Sequence, residues 1–137
     1  MTFEEKKYYN DLKPYKLKMP FGDFYLCDGF VVSELKEGVH FDWERIKTVM
    51  DRVIEYYGKN TKWGYISHRV NPYSTNPQTW ELVDQTYNSV ISSGAIVYYN
   101  KMTSINAALE KHFAPVNIKR FDSLEAAIDW TLFEKNS

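Results

Sequence analysis

Apolar and polar residues change their spacing along this chain, from every second position to every third or fourth and back. Tyr15-Lys16-Leu17-Lys18-Met19 alternates with period two, the pattern of a half-buried strand, and Pro20 ends it. Residues 23–28 hold the β-rich run Phe24-Tyr25-Leu26-Cys27. Asp28-Gly29 reads as a hairpin turn, and Phe30–Leu35 as the returning strand, so an antiparallel meander is expected over 15–35. Trp43, Ile46, Met50, Val53, Ile54 and Tyr57 then recur at helical spacing, with Asp42 as N-cap and Gly58 as the stop. Lys62–His68 predicts a strand with Trp63, Tyr65 and Ser67 on one face and Gly64, Ile66 and His68 on the other.

Asn76-Pro77 predicts a helix start. Trp80, Val83, Tyr87, Val90 and Ile91 form its apolar stripe, and Gly94 ends it. Ala95–Tyr99 is a continuous apolar run that suits an interior parallel strand. A helix is expected from Thr103 to His112, burying Ile105, Ala108 and Leu109. Val116–Phe121 alternates as an edge strand. Asp122-Ser123-Leu124-Glu125 has the form of a capping box, opening a helix that buries Leu124, Ala127, Ile128 and Thr131. Residues 1–12 read as a short helix or arm that docks through Phe3, Tyr8, Tyr9 and Leu12, with Pro14 as its end.

The predicted fold is α/β: a mixed sheet, antiparallel at first and then parallel through βαβα crossovers, packed with about four helices. The chain has 137 residues, the size of one domain, and nothing resembling a linker divides 1–137. Apolar residues make up 44% and charged residues 26%, which excludes wholesale disorder. A net charge of -1 argues against coating nucleic acid. Lys13, Lys16 and Lys18 are better placed to guard a sheet edge than to hold a single strand. No long apolar run predicts membrane insertion, and a cytoplasmic location is the default expectation. The single Cys27 excludes an internal disulfide framework and reads as a core residue. His40, His68 and His112 lack close ligand spacing, so no metal or cofactor is expected. The high aromatic content, 17%, implies a bulky core or an aromatic binding surface.

The element order, and the ending Val116–Phe121 followed by Phe121-Asp122-Ser123-Leu124-Glu125-Ala126-Ala127-Ile128-Asp129-Trp130, resemble the STAS-like, SpoIIAA-like family of small bacterial proteins. The resemblance spans residues 15–135 in topology and the last 20 or so in motif. It implies a protein that is not an enzyme but a regulatory module, one that binds a partner protein and is switched by phosphorylation. The serine phosphorylated in that family maps to the loop Asn71–Pro77, here Asn71-Pro72-Tyr73-Ser74-Thr75-Asn76-Pro77, without the family's Asp-Ser-Ser-Gly pattern. Another branch resembles lipid-binding Sec14-like domains.

The candidate site is His68, Arg69, Asn71, Tyr73, Ser74 and Thr75, where a parallel strand gives way to a helix. Ligands bind open α/β sheets at the carboxyl ends of their strands, and a helix start favours an anion. The same residues also suit a structural loop with local turn bonds. His68 and Ser74 lack a glycine-flanked nucleophile elbow and an identifiable acid, which argues against hydrolase chemistry. The expectation is a protein-binding regulatory module, with a homodimer as one form of it. A small-molecule or lipid-binding domain with its ligand near residues 68–77 is the alternative.

Overall fold

In the computed structural model, which describes residues 1–135 without the side chains of residues 102–104, six strands form one twisted sheet. They are β1 (Tyr15–Met19), β2 (Gly22–Leu26), β3 (Phe30–Leu35), β5 (Trp63–His68), β7 (Ile91–Val97) and β8 (Ile118–Phe121). The spatial order is β1-β2-β3-β5-β7-β8. The first three strands pair antiparallel and the remaining pairs are parallel, as the alternation pattern predicts. Gly29 turns the β2–β3 hairpin at φ 88°, a backbone state that a side chain would strain. A separate pair, β4 (His40–Phe41) and β6 (Ser74–Thr75), forms a two-stranded parallel ribbon.

The helices follow from the crossovers. α2 (Trp43–Tyr57) joins β3 to β5, α3 (Thr79–Thr86) joins β5 to β7, and α4 (Lys101–Phe113) joins β7 to β8. Crossovers of the usual right hand that all advance in one direction place their helices on one face of the sheet. That face holds the core of Phe24, Val31, Leu35, Ile46, Val49, Met50, Val53, Trp63 and Val83. The opposite face is covered by α5 (Leu124–Lys135) and by the N-terminal arm, which includes α1 (Tyr9–Leu12). Phe3 is fully buried there, and Tyr8, Tyr9 and Leu12 pack beside it.

Asp42 caps α2 by accepting the Arg45 N–H at 3.0 Å, and Gly58 ends it at φ 97°. Its buried face is Ile46, Val49, Met50 and Val53; Trp43 sits half-buried at the rim. α5 starts on Ser123 rather than on the Asp122–Glu125 box. The Ser123 hydroxyl accepts the Ala126 N–H at 3.1 Å. Its buried residues are the expected Leu124, Ala127, Ile128 and Thr131.

Three further sequence expectations fail. The apolar stripe through Val90 and Ile91 does not continue α3. The chain leaves the helix at Thr86, turns through Asn88 and Ser89 at positive φ, and Ile91 already belongs to β7. Gly94 therefore ends no helix. It lies mid-strand, where a Cβ would meet Ile118 Cδ1 at 2.3 Å and the Trp80 ring at 2.9 Å. The third failure is α4, which turns Ala107 and Glu110 inward and leaves Ile105, Ala108 and Leu109 exposed. Glu110 is drawn in by a buried guanidinium that helical periodicity does not reveal.

Candidate functional site

Strand alternation splits the candidate site. His68 and Arg69 are neighbours in sequence and both buried, yet they face opposite sides of the sheet. Arg69 faces α2, α3 and α4; His68 faces α5 and the arm.

On the first side the sheet and its helices do not meet completely. A cleft with about 60 Å³ of free space, open at its mouth, lies between them. Its walls are almost wholly apolar, among them Phe24, Val31, Phe41, Val49, Met50 and Val83. One end is polar. Arg69 spans from Ser67, whose Oγ accepts its Nε–H at 3.0 Å, to Glu110, with Nη2–Oε1 at 2.7 Å and Nη1–Oε2 at 2.6 Å. The Trp80 indole donates to the same Glu110 Oε1 at 3.1 Å. The Tyr73 ring lies 5.0 Å from the guanidinium carbon, and its hydroxyl bonds Ser67 at 2.7 Å. The Tyr65 hydroxyl bonds Ser33 at 2.7 Å.

The electrostatics are those of a closed, neutral pair. Burial disfavours charge on Arg69, but Tyr73 and the Glu110 carboxylate outweigh it and hold the guanidinium protonated. Burial pushes the Tyr65 and Tyr73 phenols up, so both keep their hydrogens as donors. Arg69 and Glu110 are the only charged residues among those lining the cleft. Trp63 also lines it, and its indole N–H has no acceptor among the described residues.

The remaining candidates surround the cleft's rim. Tyr73 and Thr75 line it, and the Thr75 hydroxyl donates to the Phe41 carbonyl at 3.1 Å. Asn71 is exposed and ties the loop to the Leu35 carbonyl at 3.2 Å. Ser74 is exposed on the outer side of the β4–β6 ribbon, with its Oγ 2.8 Å from Nδ1 of His40. The histidine beside Ser74 is therefore His40, which register pairs with it, and not His68. Sequence reasoning missed Glu110, Trp80 and His40, because their partners lie 30 or more residues away. Among the described residues no group of three or more His, Cys, Asp or Glu side chains is arranged to hold a metal ion.

On the other side of the sheet, Nδ1 of His68 lies 2.8 Å from Oε2 of Glu34 and Nε2 lies 2.6 Å from the Tyr99 hydroxyl. Glu34 Oε2 also accepts the Phe3 backbone N–H at 2.7 Å.

The fold is SpoIIAA-like. The chain is similar to the crystal structure of an uncharacterized DUF3478-family protein with a SpoIIAA-like fold from Shewanella loihica PV-4. The TM-score is 0.55 at 10% sequence identity, covering 86% of this chain and 91% of that one. No family model and no curated protein matches the sequence. No helix among the described residues is long and apolar enough to cross a membrane.

Proposed function

We propose that this protein is a non-catalytic binding module that takes a small, uncharged, largely apolar molecule in the cleft between the sheet and α2–α3. The observation that carries this reading is an almost wholly apolar cleft, open at its mouth, with a few converging polar groups at one end. The Arg69–Glu110 pair leaves no net charge for an anion to answer, so a neutral ligand avoids the cost of burying an unpaired charge. The free Trp63 N–H favours a ligand that carries a hydrogen-bond acceptor such as a carbonyl. Cyclohexanone, small, neutral and carbonyl-bearing, is a suitable probe. A saturable change in tryptophan fluorescence with a Kd of about 0.1–10 mM is expected. Val49→Phe, which narrows the cleft, should weaken it at least about tenfold without changing the circular dichroism spectrum. Binding that is absent, or indifferent to Val49→Phe, removes the reading.

A second reading, a cytoplasmic regulatory module that binds a protein partner, is favoured by Ser74. Its hydroxyl is exposed, on a ribbon whose inner side lines the cleft, and it touches His40, which when protonated would pair with an added phosphate. This reading predicts that Ser74→Asp changes which proteins co-purify with the chain from its source cell. An unchanged set counts against it.

A further inference from the structure

The cleft leaves Glu34, His68 and Tyr99 unused, and these three lie in line on the opposite face of the sheet. Glu34 as a carboxylate can only accept, so the hydrogen of a neutral His68 sits on Nδ1, 2.8 Å from Glu34 Oε2. The lone pair on Nε2 then faces the Tyr99 O–H at 2.6 Å. The imidazole is completely buried, and the Phe3 N–H donates to the same Glu34 oxygen. Tyr99 stands at the carboxyl end of β7, just beyond Val97, and is 49% exposed. The order is that of an activated nucleophile: a hydroxyl on a half-exposed side chain, a buried base in hydrogen-bond contact, and an acid that fixes the base's tautomer.

We infer that Tyr99 is an acyl-acceptor site, at which the phenol takes the acyl group of an uncharged activated ester. The Tyr99 oxygen bonds to the acyl carbon as its proton passes to His68 Nε2. Glu34 stabilises the imidazolium formed. The bond from the acyl carbon to the leaving oxygen breaks, and His68 returns the proton to that oxygen or to solvent. The products are a tyrosyl ester and an alcohol. Nothing is oxidised or reduced.

The surroundings set the class of donor. Burial, Glu125, Glu34 and Asp122 all hold the Tyr99 phenol above its ordinary range, so attack runs through proton transfer to His68 and not through a standing phenolate. Glu125 is paired with Lys6 at 3.3 Å, but Glu34 and Asp122 leave the carboxylates in excess, which disfavours an anionic donor relative to a neutral acyl group. The site is independent of the cleft, since it lies across the sheet from it.

Two other tyrosines serve as controls within the same molecule. Tyr15 and Tyr56 are 48% and 52% exposed, and stack on one another without a histidine partner among the described residues. The wild-type chain is treated with p-nitrophenyl acetate at pH 7.5, and acetylation is timed at each tyrosine by peptide mass spectrometry. Tyr99 is expected to gain its acetyl group faster than either control by on the order of 10²-fold, the lower end of what a positioned base contributes. Tyr99→Phe removes the acceptor hydroxyl, and with it the partner of His68 Nε2, and should abolish the fast phase of p-nitrophenolate release. A ratio below about tenfold, or a fast phase that survives Tyr99→Phe, overturns the inference.

Discussion

Arg69, just past the end of β5, and Glu110, in the last turns of α4, face each other as a two-pronged ion pair at 2.6 and 2.7 Å, buried from solvent on both sides. The pair joins the sheet to a helix whose outer face keeps Ile105 and Leu109 in water. Removing one partner strands the other charge in the interior. Glu110→Ala should therefore destabilise the fold by about 3–5 kcal/mol, measured by denaturant unfolding. Replacing both with Arg69→Met and Glu110→Leu should recover most of that loss, because no charge is then left unpaired.

Gly64 in β5 lies under Thr131 of α5, where a Cβ would stand 2.3 Å from Thr131 Cγ2. Gly64→Ala should cost about 1–3 kcal/mol through overpacking. Thr131→Ser deletes the clashing methyl while keeping the hydroxyl that donates to the Ala127 carbonyl. In the Gly64→Ala background it should be less harmful than in the wild type, or even stabilising, and a double-mutant cycle reads the difference.

Ile46 and Val83 are buried on the cleft side of the core. Ile46→Ala and Val83→Ala should each lower stability by roughly 1–4 kcal/mol, through lost burial and an enlarged cavity. Values under about 0.5 kcal/mol at both sites would mean that neither side chain is in the packed core.

Cys27 is buried, and desolvation pushes its thiol from the ordinary 9.0 up to about 12. It should resist a thiol reagent at pH 8 in the native protein and react at once in denaturant. The thiol of the unfolded chain ionises first. Its contribution to stability is thus complete below about pH 9 and declines from there to about pH 12, by at most about 1.4 kcal/mol per pH unit.

Ser74 is exposed, and an aspartate there could accept a hydrogen bond from His40 in place of the serine. Ser74→Asp should leave the melting temperature nearly unchanged in a thermal melt. A loss of many degrees would show that the serine hydroxyl holds the β4–β6 ribbon together.

The sequence by itself determined the meander, the Asp42 cap, the split faces of β5, the interior place of Ile96 and Val97, and the buried side of α5. Each rests on a local period or a turn residue, and short-range sterics and amide hydrogen bonding decide those wherever the segment packs. The SpoIIAA-like topology was legible for the same reason, because strand and helix order leaves few right-handed arrangements. Tertiary structure alone decided where α3 ends, since Val90 and Ile91 are apolar in a helix stripe and in a strand alike. It also decided which side of α4 turns inward: a buried Arg69 needs a carboxylate more than the sheet needs Leu109. The candidate loop could be named from position, but its division between two faces, and the partners His40, Trp80, Tyr99 and Glu110, came only from pairing across distances the chain's local chemistry does not encode.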